Sequence, residues 1–182
     1  MAILTKNKLT RIADNKAGYT QKSVILNEAR SYSNKHSAET SIFLSHSHYD
    51  SEYVKDVVVL LRKMGVNVYV DWMDDTMPKE TSGKTASMLK QKIKDNDKFI
   101  FLATNLSIAS KWCNWEIGYG DAHKYINKIA LFPLKDDDQT EWKGNEYLQI
   151  YPYIKESDYN ADTYNIYFPN GTMKSLKEWL KQ

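Results

Sequence analysis

The chain has 182 residues, 42% hydrophobic, 26% charged and 13% aromatic, which suits one globular domain with at most a short appendage. A net charge of +2, from 25 Lys and Arg against 23 Asp and Glu, excludes a strongly basic nucleic-acid binder. The single cysteine, Cys113, excludes a disulfide framework and a Cys-rich zinc site.

No apolar run reaches the ~18 residues of a membrane span. Residues 1–16 lack the apolar core of a secretory signal, so a soluble, cytoplasmic protein is expected. Residues 1–39 hold seven Lys or Arg and three acids, leaving 18 against 20 for the rest. Leu4, Ile12 and the cluster Val24, Ile25, Leu26, Ala29 and Tyr32 predict one or two short helices there, with no strand. We take residues 1–39 as an N-terminal helical extension, either a packing arm or a basic patch for an acidic partner.

From Ser41 strands and helices alternate. Ser41-Ile-Phe-Leu-Ser45 is a short apolar strand. Asp50 or Ser51 caps a helix with Tyr53, Val54, Val57, Val58, Leu60, Leu61 and Met64 on its apolar face, and Gly65 ends it. Val66-Asn-Val-Tyr-Val70 is the next strand. A polar loop over residues 71–83 precedes a helix bearing Ala86, Leu89 and Ile93. Phe99-Ile-Phe-Leu-Ala103 is nearly all apolar, as expected of a strand covered on both faces. Ser110 opens a helix through Trp112, Trp115, Ile117 and Ala122. Residues 129–134, 147–154 and 164–168 are further strand candidates, and 174–180 a final helix. This order predicts an α/β fold, flavodoxin-like and doubly wound, with a mostly parallel five-stranded sheet and helices on both faces.

Ligands of such sheets bind beyond the carboxyl ends of the strands. Four groups of residues there invite a chemical reading. Ser82-Gly-Lys-Thr85 resembles the tail of a phosphate-binding loop, but Pro78 stands where that loop needs a glycine. It reads better as a loop with Thr85 near a helix start. His46-Ser-His48-Tyr-Asp50 spaces three ligand types at i, i+2 and i+4. Only His36 and His123 remain to complete a metal site, so pocket-lining polar residues are expected instead and no metal is assigned. Gly118-Tyr-Gly120 lies within a helix and reads as close packing against a neighbour. In Ser110-Lys-Trp-Cys-Asn-Trp-Glu116, Trp112 and Glu116 share a helix face. They form either a receptor for a flat cationic ring joined to a sugar, or a pair of core tryptophans with an exposed acid. Cys113 has no histidine partner in range and is not expected to be a nucleophile.

Ser41-Ile-Phe-Leu-Ser-His-Ser-His-Tyr-Asp50 resembles the first sequence box of Toll/interleukin-1 receptor (TIR) domains. Residues 71–83 look like the family's long loop after its second strand. The S-x-W-C-x-x-E pattern ending at Glu116 is similar to its third-helix motif. The resemblance covers about residues 40–180, and we take 40–182 as the TIR domain. It is nearest to stand-alone bacterial TIR proteins such as the TIR subunits of Thoeris anti-phage defence.

The resemblance implies cleavage of NAD⁺ at the nicotinamide–ribose bond, with NAD⁺ as substrate and no separate cofactor. Glu116 falls at the family's catalytic glutamate. Ser45, His46 and Ser47 would line the pocket floor, with Trp72, Gly83, Lys84, Trp112 and Trp115 also at the substrate. Lys84 would meet the pyrophosphate and the tryptophans would stack or brace Glu116. The product would be ADP-ribose or a cyclic isomer, read by a downstream effector, and activity would require self-association through TIR–TIR contacts. No membrane or nucleic-acid partner is expected. The family also contains non-catalytic interaction modules, which is the alternative reading. His46-Ser-His48 stands where some members carry arginines or an aromatic residue.

Overall fold

Successive strand residues point to opposite faces of a sheet, and the central strands of this chain are apolar on both. In the computed structural model, which describes residues 3–18, 21–32, 39–78, 80–139, 144–160 and 163–182, the strands are β1 (Leu4–Thr5), β2 (Ser41–Ser45), β3 (Asn67–Tyr69), β4 (Lys98–Ala103), β5 (Ile129–Lys135), β6 (Tyr153–Glu156), β7 (Tyr164–Tyr167) and β8 (Met173–Ser175). The helices are α1 (Lys6–Ala17), α2 (Lys22–Tyr32), α3 (Ser51–Arg62), α4 (Gly83–Asp95), α5 (Asn105–Ala109), α6 (Lys111–His123) and α7 (Leu176–Lys181).

Ile42, Leu44, Ile100, Leu102, Ala130 and Phe132 face one layer, with α1, α3 and α7. Phe43, Phe99, Phe101, Ala103, Ile129 and Leu131 face the other, with Leu89 and Ile93 of α4 and Cys113 and Ile117 of α6. Sequence parity alone therefore sorts the core into its two halves.

The strand order is β3-β2-β4-β5-β6-β7-β8. The five strands from β3 to β6 are parallel. Counted from β2, their order is 2-1-3-4-5, the flavodoxin-like arrangement. The sheet is larger than the five strands expected. β7 and β8 add antiparallel strands at one edge, and β1 pairs with β5 through Leu4↔Leu134. The apolar run at 147–154 divides at Pro152 into a 3-10 turn, Glu146–Ile150, and β6, because proline offers no N–H to a ladder.

The N-terminal helices pack on α3. Leu9 and Ile12 enter the main core, while Ala13, Ala17, Ile25 and Val59 form a small cluster between α1, α2 and α3. Lys22 Nζ reaches Asp56 of α3 at 2.6 Å. The Tyr32 side chain and residues 33–38, including His36, lie outside the described residues. No described helix is long and apolar enough to cross a membrane.

Candidate active site at the sheet's switch point

The winding of the sheet reverses between β2 and β4, and sheets of this kind have their ligand crevice at the carboxyl ends of the strands at such a switch point. β2 delivers Ser45, His46 and Ser47 there. The connection after β4 delivers α6, whose N-cap Ser110 accepts from the Cys113 N–H. A second short helix, α5, fills the gap between β4 and α6. It is started by a capping box in which Thr104 and Ser107 bond each other's backbone N–H groups.

Glu116 points inward from α6 and is only 7% exposed. Ser45 Oγ donates to Glu116 Oε2 at 2.5 Å. Burial pushes the Glu116 pKa up to about 8. The Ser45 hydroxyl opposes that rise and the Asp71 carboxylate adds to it. Cys113, one turn earlier, is buried, and desolvation together with Glu116 pushes its thiol up to about 12, so it is inert as a nucleophile.

His46 is buried beside Ser45. A carbonyl can only accept, so His46 Nδ1–H donates to Leu44 O at 2.9 Å. Its Nε2 lies 3.5 Å from Asp71 Oδ1. Burial holds this imidazole below its usual pKa despite the nearby carboxylate. Ser47 is buried and its hydroxyl starts the 3-10 turn His48–Asp50 by accepting from Tyr49 N. Asp50 occupies the N-cap position of α3 without capping it. Its carboxylate accepts from Thr104 Oγ1 at 2.5 Å and ties the loop after β2 to α5.

The loop after β3 lies against the loop after β2 through Asp71 and Trp72. Trp72 sits in a 3-10 turn, Asp71–Met73, with its ring edge-on to His46 at 6.4 Å between centroids. Asp74 is buried and bonds both Lys92 of α4 at 2.8 Å and the Tyr69 hydroxyl at 3.0 Å. Against the cost of burial, the Lys92 ammonium holds its carboxyl below the usual range.

The expected site residues fall into two groups. Glu116, Ser45, His46, Ser47 and Trp72 converge at the crevice. Gly83, Trp112 and Trp115, with Lys90 and Lys111, line a separate groove of about 520 Å³ between α4 and α6. Glu116 faces inward from the same helix and does not line that groove. Trp112 is 38% exposed and edge-on to Trp115. Trp115, Tyr119 and His123 stack in succession down α6, with Lys90 Nζ 5.1 Å from the Tyr119 ring centre. Lys84 is exposed on the first turn of α4, outside the set lining the groove.

The remaining motifs resolve into local structure. Ser82 and Thr85 form the capping box of α4. A Cβ on Gly120 would stand 3.1 Å from the Phe99 ring, so that glycine permits close approach as expected. A Cβ on Gly118 would meet nothing within 4 Å among the described residues, and close packing does not account for it. Asp71 is the residue that the sequence reading missed. Its signal was its place at the carboxyl end of β3, directly beside β2.

Residues 42–165 match the TIR domain family, about two thirds of the chain. The chain is a TIR domain protein. It is 31% identical, over 78% of its own length and 75% of the relative's, to a Bacillus cereus (strain MSX-D12) protein with the provisional name 3′ cyclic ADP-D-ribose synthase ThsB′. It is 29% identical, over 57% of its own length and 27% of the relative's, to a Cytobacillus dafuensis protein provisionally named cyclic ADP-D-ribose synthase TIR2.

Proposed function

We propose that this TIR protein cleaves NAD⁺ between nicotinamide and ribose and makes a cyclic ADP-ribose isomer, as a signal in a Thoeris-like bacterial defence. The observation that carries this reading is Glu116, a buried carboxyl at the switch point of the sheet, held by Ser45 and within the electrostatic reach of Asp71 in the loop after β3. The provisional names of both relatives support the same chemistry.

The nicotinamide of NAD⁺ is a pyridinium. As its bond to ribose C1′ breaks, the bonding electrons move to the ring nitrogen and nicotinamide leaves neutral. No acid is needed to protonate it, unlike the leaving group of an ordinary glycoside. One carboxylate therefore suffices to steady the positive charge that grows on the sugar. Ser45 fixes the rotamer of Glu116 and favours its charged form, while Trp72 and His46 form the adjoining wall.

A nearly sealed carboxyl pushed up to about 8 is mostly protonated at neutral pH. An arriving pyridinium reverses that preference, since an opposite charge favours ionisation. The closed crevice supports a resting form, in keeping with activation by self-association between copies of the chain. A hydroxyl or the adenine of the same NAD⁺ captures the sugar cation and loses a proton to give a cyclic isomer. Water gives ADP-ribose instead, and exclusion of water favours the cyclic outcome. The product then serves a nucleotide-sensing effector, and the reaction belongs in the cytoplasm, where NAD⁺ is plentiful.

The test is chromatography of NAD⁺ incubated with concentrated wild-type protein and with Glu116→Gln. Nicotinamide released in step with a cyclic product, by the wild type alone, is the expected result. Equal NAD⁺ loss in both samples overturns the reading and leaves an interaction module.

A further inference from the structure

At the rim of the crevice three groups converge that the cleavage of NAD⁺ does not use as a set. His46 Nε2, His48 Nε2 and the Asp71 carboxylate lie within 4.8 Å of one another. His46 Nε2 is 3.5 Å from Asp71 Oδ1, and His48 Nε2 is 4.0 Å from Asp71 Oδ2. The His46 side chain is only 3% exposed, yet its Nε2 has no hydrogen-bond partner among the described residues. A buried polar atom left without a partner calls for an explanation, and an absent ion is one.

The surroundings match those of a metal-binding histidine. His46 Nδ1–H donates to Leu44 O, which leaves the lone pair on Nε2 and fixes the ring, the usual outer-shell arrangement for such a ligand. Asp71 Oδ1 accepts from Trp72 N at 2.8 Å, which orients the carboxylate. The His46 and His48 rings lie edge to face at 88°, 6.0 Å between centroids. An ion bound at about 2.0–2.2 Å places tetrahedral ligands about 3.4 Å apart, the spacing His46 and Asp71 already have at 3.5 Å, while the exposed His48, at 4.0 Å from Asp71, moves in to complete the set.

We propose that His46, His48 and Asp71 form a binding site for a borderline divalent transition ion, of the zinc, cobalt or nickel class. Two imidazoles and one carboxylate are the donor set that such ions prefer, and hard cations such as magnesium are disfavoured by the nitrogens. With His48 exposed, solvent can supply the remaining ligand as water. The ion joins the loop after β2 to the loop after β3, the two walls of the crevice. It is a structural clasp on the mouth, and no step of NAD⁺ cleavage passes through it.

The experiment uses untagged full-length protein stripped with chelator and titrated with Co²⁺ or Zn²⁺. Calorimetry gives the stoichiometry and the visible Co²⁺ spectrum reports the ligand field. One ion per chain is expected, with Co²⁺ bands stronger than those of the hydrated ion and a raised melting temperature. His48→Ala, at an exposed position, and Asp71→Asn, at a partly buried one, each weaken binding at least about tenfold. His36→Ala and His123→Ala leave it unchanged. Absence of 1:1 binding overturns the proposal, as does binding that survives His48→Ala or is lost in either control. NAD⁺ turnover is not the readout, so this result stands apart from that of the cleavage test.

Discussion

Replacing Glu116 with glutamine removes a charge from the crevice while keeping size and shape, and the Ser45 hydroxyl can donate to the amide oxygen as it does to the carboxylate. The unfolded chain titrates Glu116 near 4.5 and the folded chain at about 8. Below 4.5 both states are protonated and the group contributes no difference. Between 4.5 and 8 the folded state holds a proton that the unfolded state has released, so stability falls as pH rises. Above 8 the full penalty applies. A gap of about 3.5 units at about 1.4 kcal/mol each sets an upper limit of about 5 kcal/mol, and water entering beside the carboxylate reduces it.

The assay is urea unfolding of wild type and Glu116→Gln across pH 5 to 9. Titrations common to both proteins cancel in the difference, which isolates Glu116. Near pH 5 the two have similar midpoints, and the variant becomes the more stable by about 2–5 kcal/mol at pH 9. Its NAD⁺ turnover falls by about two to three orders of magnitude, the scale of removing one preorganised electrostatic group. Parallel stability profiles refute the burial argument. A difference that grows toward low pH refutes its sign.

Wild-type kcat/KM for NAD⁺ rises with pH along a limb near 8, because that ratio reports the free enzyme's carboxyl. A flat profile from pH 6 to 9 contradicts this. Ser45→Ala removes the hydrogen bond that favours the charged form, so the same limb moves to higher pH, as a pH–rate series will show. Trp112→Ala costs less than the roughly 3–5 kcal/mol of a fully buried tryptophan, since the ring is half-exposed at the groove. Thermal melts check the stability and NAD⁺ assays check whether the groove contributes to binding. Gly118→Ala raises stability by up to about 1 kcal/mol through helix propensity. Gly120→Ala gains nothing, because its Cβ meets the fully buried Phe99 ring at 3.1 Å.

Much of the fold was readable because its causes are local. β2 runs over the five residues named from the sequence, and Ser110 caps α6 as expected. Gly65 follows α3 with a φ of 84°, where glycine suits the turn. Elements whose stability comes from distant partners were not readable. β1 is two residues long and exists through pairing with β5. α5 spans five residues and depends on its Thr104–Ser107 box, with Asp50 bonded to Thr104 from another loop. β8 carries little apolar pattern of its own and is held by β7.

The site shows the same division more sharply. Helical spacing places Trp112 and Glu116 on one side of α6, but spacing does not say which end of that stripe meets the core. Apolarity alone buries the indole and exposes the acid. The chain does the reverse, with Glu116 sealed against Ser45 and Trp112 open at the groove. A local rule broken at both ends of one helical turn marks a place where stability has yielded to another requirement. Ser110 sets the start of α6, β2 ends at Ser45, and the switch point brings those two termini together. The carboxyl is thus carried inward by the topology, against its own preference for water. The Asp71 carboxylate, in the turn after β3, raises the cost of ionising Glu116 further. At the proposed site, a carboxyl kept inward at a cost in stability suits the steadying of a sugar cation, a task for which an interaction surface has no use.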